Sequence, residues 1–77
     1  MVTIRYEIMR SADGWRVHCN GAEGPAFADA SEAIRNTLFT AAKLEKTGER
    51  VEVRFLELDG PRKVWRKLEA RDAAMYR

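Results

Sequence analysis

The chain has 77 residues, enough for one domain (residues 1–77) whose single hydrophobic core only just offsets the entropy of ordering it. Its 14 basic and 12 acidic side chains nearly cancel, which argues against a dedicated polyanion binder; the surplus is local, with six basic and six acidic groups in residues 1–48 against eight and six in residues 49–77. One cysteine cannot form an internal disulfide and the N-terminal segment is apolar only at alternate positions, so the expected setting is the cytoplasm, with no signal peptide and no membrane span.

Residues 2–8 read VTIRYEI, a period-2 pattern that sets Val2, Ile4, Tyr6 and Ile8 on one face of a strand and Thr3, Arg5 and Glu7 on the other. SADG then supplies a turn, and Trp15, Val17 and Cys19 alternate with Arg16 and His18 in a second strand. The expected hairpin joins strands at about residues 2–10 and 15–20, through either a two-residue or a four-residue loop. Those two registers differ by two residues, so both put Cys19 on the side of Tyr6 and Ile8, and His18 on the wet face near Glu7 or Met9.

NGAEGPAFA is rich in glycine and reads as a loop. Asp29 followed by Glu32 forms a capping-box pattern, Gly48 is a stop, and Lys43 and Lys46 sit where a helix C-terminus favours cations, which predicts a helix at about residues 30–46. Ala30, Ile34, Leu38, Ala41 and Leu44 make one apolar stripe, which requires one packing partner, the sheet.

RVEVRFLELDGPRKVWRKLEA predicts a second hairpin, with strands at about residues 50–58 and 62–69 turning on Asp59-Gly60. In that register Phe55 faces Val64 and Val51 faces Leu68, while Arg50 meets Glu69, Glu52 meets Lys67 and Arg54 meets Trp65. Arg66 then falls beside Val53 on the inner face and has to snorkel or mark a bulge. The rival reading makes VWRKLEARDAAMYR a C-terminal helix; otherwise residues 70–77 form a frayed or helical tail. The expected fold is α+β, a two-layer ββαββ sandwich in which a four-stranded, mainly antiparallel sheet carries one helix on one face.

The chemistry-bearing residues argue against catalysis. His18 and Cys19 are neighbours on a strand and point to opposite faces, so they cannot form a nucleophile–base dyad. The chain holds two residues of Cys or His type, too few for a structural zinc, and no spacing of carboxylates suggests another metal. GAEG lacks the Gly-Lys-Ser/Thr ending of a phosphate-binding loop and is crowded by Glu23, Asp29 and Glu32. No Ser-His-Asp arrangement, cofactor fingerprint or small-molecule site is evident, so no enzyme activity and no cofactor are expected.

The solvent face of the sheet is the candidate binding surface: it collects Arg5, Arg16, His18, Arg54, Lys63, Trp65 and Lys67, tempered by Glu7 and Glu52. A protein partner or a second copy of the chain is the expected ligand, because a small domain with an uncovered sheet face and unpaired edges can bury both by associating. RNA or single-stranded nucleic acid is the alternative, since a basic sheet with an exposed aromatic resembles a stacking platform.

The strand containing DGWRVHCNG, the helix DASEAIRNTLFTAAKLEKTG and the hairpin VEVRFLELDGPRKVW together resemble a family of small uncharacterised bacterial proteins. That family has a Gly-Trp-x-Val strand, a Glu-Ala helix start and a late Asp-Gly turn, and the resemblance spans most of residues 4–66. It implies the hairpin-helix-hairpin order and transfers no catalytic residue. The hairpin–helix part is also similar to the partly degraded RNA-binding-like fold of HicB antitoxins, which neutralise a small RNase toxin; the extra DNA-binding segment usual there is missing.

Overall fold

The computed structural model describes residues 2–75 and contains five strands and one α-helix. The strands are β1 (Thr3–Ser11), β2 (Gly14–Cys19), β3 (Ala22–Phe27), β4 (Arg50–Asp59) and β5 (Arg62–Leu68), with α1 (Ala30–Lys46) between β3 and β4 and a 3-10 turn, Ala70–Met75, at the end. They form one sheet in the order β3-β2-β1-β4-β5. The α+β class and the single helix are as expected; the sheet has five strands, not four, and it is mixed, because β1 and β4 run parallel.

The extra strand is β3, in the segment expected to be a loop. Asn20 and Gly21 both take positive φ, 50° and 86°, which is the two-residue turn whose twist matches that of a hairpin, and Cys19 then pairs with Ala22. Its glycine and proline do not prevent pairing because β3 is an edge strand. Pro25 needs no ladder partner there, and the register slips between Arg16 and His18, where a Cβ on Gly24 would lie 2.6 Å from the Val17 carbonyl oxygen.

In the first hairpin Ser11 pairs with Gly14, Arg10 with Trp15 and Glu7 with His18, the register of the longer of the two loops considered. The second hairpin differs from expectation by two residues. It turns on Gly60-Pro61, with Gly60 at positive φ in the first central position, so Asp59 pairs with Arg62, Leu56 with Trp65, Arg54 with Lys67 and Val53 with Leu68. The complementary charge pairs expected from sequence, Glu52 with Lys67 and Arg50 with Glu69, are therefore not cross-strand partners; turn geometry sets the register and the faces stay the same. Arg66 lies opposite Phe55 on the helix side and reaches out to Glu57 at 3.4 Å. The C-terminal helix rival fails through residue 68, which is strand. Residues 70–75 are the 3-10 turn, started by Asp72 accepting from the Glu69 amide at 2.7 Å; residues 76 and 77 lie outside the described residues.

The helix is delimited as its sequence implies. Asp29 caps it by accepting from the Glu32 amide at 2.8 Å, and the exit is a Schellman motif, with the Gly48 amide bonded to the Glu45 carbonyl and the Glu49 amide to the Leu44 carbonyl. Its buried face, Ala33, Ile34, Thr37, Leu38 and Ala41, packs on Ile8, Val17, Val53, Phe55 and Leu68. Thr37 satisfies its hydroxyl on the Ala33 carbonyl at 2.8 Å. At the β1–β2 turn Trp15 stacks on Phe55 with centroids 5.4 Å apart, and Arg10 lies over its ring.

Gly14 joins these parts. Its φ is 119°, and a Cβ there would sit 2.3 Å from the Phe27 carbonyl oxygen. Gly14→Ala is expected to destabilise the fold by about 2 kcal/mol through backbone strain, and Asp29→Ala by about 1 kcal/mol through loss of the cap. Urea denaturation of the two variants against the parent checks the order.

Candidate binding face

The helix covers one face of the sheet and leaves the other bare. Register decides what the bare face carries. Each row across the strands is fixed by the pairings, and one reads Glu23–His18–Glu7–Arg54–Lys67 from β3 to β5. On one side of it Arg5 lies beside Glu52; on the other, Arg16 pairs with Met9 and Leu56 with Trp65, and continuing the β1–β4 register by one residue sets Met9 beside Leu56. Beyond these, Leu58 lies opposite Lys63. All seven candidate residues, Arg5, Arg16, His18, Arg54, Lys63, Trp65 and Lys67, therefore share the bare face.

Sequence reasoning listed its cations and Trp65 and missed its other apolar members, Met9, Leu56 and Leu58. Trp65 is 43% exposed and Leu58 58%, and Met9 and Leu56 between them are half-buried. The signal lay in the alternation. Met9 occupies a wet-face position of β1, and Leu56 and Leu58 occupy wet-face positions of β4, so three hydrophobic residues stand where the period-2 pattern calls for polar ones.

Most of the cations are engaged by the chain's own acids. Arg54 donates from Nε to Glu52 at 2.8 Å, and Arg5 lies 3.7 Å from the other Glu52 oxygen. Arg16 pairs with Asp13 and, at 3.1 Å, with Glu23, and donates to the Gly24 carbonyl at 2.9 Å. Lys63 and Lys67 have no ion-pair partner among the described residues. The face is thus a set of closed ion pairs around an apolar strip, with two lysines at its β5 edge.

These contacts favour the ionised form of two carboxyl groups. The Ser11 hydroxyl and the Arg16 guanidinium hold the Asp13 carboxyl below its ordinary range, and the Arg54 hydrogen bond, reinforced by Arg5 and Lys67, does the same to Glu52. On the other face burial, followed by the neighbouring Cys19, pushes the Tyr6 hydroxyl up. A carboxyl whose pKa is lowered by folding stabilises the fold above its unfolded value and loses that contribution as pH falls through its folded value. Thermal melts are therefore expected to decline as pH drops below the ordinary glutamate value of 4.5, and Glu52→Gln is expected to decline less over the same window. An unchanged decline in that variant counts against the Arg54–Glu52 contact.

His18 and Cys19 separate as expected. His18 lies in the bare face between Glu7 and Glu23, with its Nδ1 buried and unpartnered among the described residues, and Cys19 lies on the helix side between Tyr6 and Ala22, half-buried. Among the described residues no group of three or more His, Cys, Asp or Glu side chains is placed to hold a metal ion, and no helix is long and apolar enough to cross a membrane. A cleft of about 290 Å³ lies on the helix side between α1 and the β1–β3 strands; Tyr6, Val17, Pro25 and Phe27 face Asn36, Thr37 and Thr40 across it. No protein-family model, curated protein or solved structure matches the chain.

Proposed function

We propose that the chain is a non-enzymatic binding module that contacts protein through the bare face of its sheet. The observation that carries this reading is the strip Met9, Leu56, Leu58 and Trp65, set among arginines that are already neutralised. A phosphate backbone is held by cations that release counterions on binding, and here Arg5, Arg16 and Arg54 would first have to leave Glu52, Asp13 and Glu23. A protein surface asks less of them. An apolar strip with a rim of paired charges matches the anatomy of a protein interface, and Trp65 and the arginines are the residue types that anchor one. The separation of His18 from Cys19 favours a non-enzymatic role, and the lone thiol suits a cytoplasmic setting.

Single-stranded RNA is the second reading, favoured by the exposed Trp65 with Lys63 and Lys67 on either side of it along β5. The two readings part on salt. In a backbone-amide NMR titration with a mixed single-stranded RNA pool at about 20 mM and about 150 mM salt, the expected result is no coherent shift on the face at either concentration. Shifts that gather on Arg54, Lys63, Trp65 and Lys67 at low salt and collapse at the higher salt would replace the protein reading with the nucleic-acid one.

A further inference from the structure

The face carries enough information to name a partner. We propose that it pairs with the same face of a second copy, about a two-fold axis that runs parallel to the strands between β1 and β4. The inference rests on the protein-contact reading above and specifies its ligand.

A two-fold axis along the strands leaves each residue at its own height and moves it to the mirror-image strand position. With the axis between β1 and β4, β1 of one copy lies over β4 of the other, and β2 over β5. Arg5 then meets Glu52 of the other copy, Glu7 meets Arg54, Met9 meets Leu56 and Arg16 meets Trp65, each contact occurring twice. Two are opposite charges, one is apolar on apolar, and one is a guanidinium over an indole ring. His18 over Lys67 lacks a favourable complement, and at the end of the strands Leu58 falls over Ser11 and Lys63 over Gly14. Moving the axis onto β1 would set Glu7 against Glu7.

Face-to-face sheets stack about 10 Å apart with strands inclined by about 30°, so correspondence is strictest near the axis, where Glu7 and Arg54 lie. Size fits a weak association. Four overlapping strands about 4.8 Å apart and roughly 20 Å long present about 400 Å² of flat sheet per copy, and with pleat and side chains two copies bury on the order of 1,000 Å². That is the lower end for a specific interface. Arg5, Glu52 and Arg54 are already paired within each chain, and Glu7, which has no ion pair among the described residues, gains Arg54 of the other copy.

Sedimentation of the full chain from about 10 μM to about 500 μM is expected to show a mass rising from 8.8 kDa toward twice that value. Glu7→Arg alone sets two guanidinium groups against each other where Glu7 now meets Arg54, and Arg54→Glu alone sets two carboxylates there; each is expected to weaken association at least tenfold. An equimolar mixture of the two variants restores an opposite-charge pair at these contacts and is expected to recover the parent's association, a result that damage to the fold cannot produce. Trp65→Ser, at an exposed position, is expected to weaken it as well, and thermal melts verify that each variant is folded. A parent that remains at 8.8 kDa throughout, a dimer indifferent to both charge reversals, or a mixture of folded variants that stays monomeric overturns the self-pairing. None of these results produces the salt-sensitive RNA shifts that would overturn the protein reading itself.

Discussion

A single α-helix about 10 Å across lies on a sheet whose five strands span about 19 Å, and where it settles decides which apolar side chains are sheltered. It lies chiefly along β4, with the 3-10 turn beside it. Among the described residues Ile8 on β1 and Ile34 on the helix are the largest side chains buried completely, and both belong to the core over the parallel β1–β4 pair in the middle of the sheet. That pairing follows from the connection. The first three strands form a meander, and a strand that returns after a helix can join beside β1 in the parallel sense. The helix is spent entirely on one side, so the other side of the same central pair stays open, and it is there that Arg5, Glu7, Glu52 and Arg54 are brought together.

The consequence for function is that the bare face is built around a parallel pair in register. Cross-strand neighbours of opposite charge satisfy one another within the chain, which lets a charged sheet face exist without being strongly basic or acidic. A surface of this kind discriminates poorly in favour of phosphate and well in favour of a partner with the reciprocal pattern. The chain's own second copy has that pattern by symmetry, because a pair of opposite charges straddling a two-fold axis always meets its complement.

Much of this was legible in residue order, and the exceptions have identifiable causes. The helix could be bounded because Asp29 and Gly48 act locally, through a cap and a Schellman motif. Both faces of both hairpins were legible because alternation survives a two-residue slip, which is why the seven candidate residues share a surface even though the second register was misplaced. The slip itself came from giving weight to exposed charge pairs, worth a few tenths of a kcal/mol each, over the backbone demand of Gly60 ahead of Pro61. β3 was hidden by composition. Gly24 and Pro25 suggested a loop, whereas Asn20-Gly21, a strong short-range hairpin signal, stood just before them. The parallel β1–β4 contact depends on tertiary packing and has no local signature.

The two edges obstruct strand addition, which bears on the proposed association through the face. β3 is blunted by Pro25 and by the slip opposite Val17, which interrupt the row of free backbone groups that another strand would need. β5 is longer and regular, but Arg62, Lys63, Arg66 and Lys67 lie along it. Two such edges brought together antiparallel would place like charges side by side, which cross-strand neighbours tolerate badly. The basic surplus of the C-terminal half thus has a structural role at this position: it guards an edge. With both edges guarded and one face under the helix, the part of the sheet left unpartnered is the bare face, where Trp65 and Leu58 stay exposed.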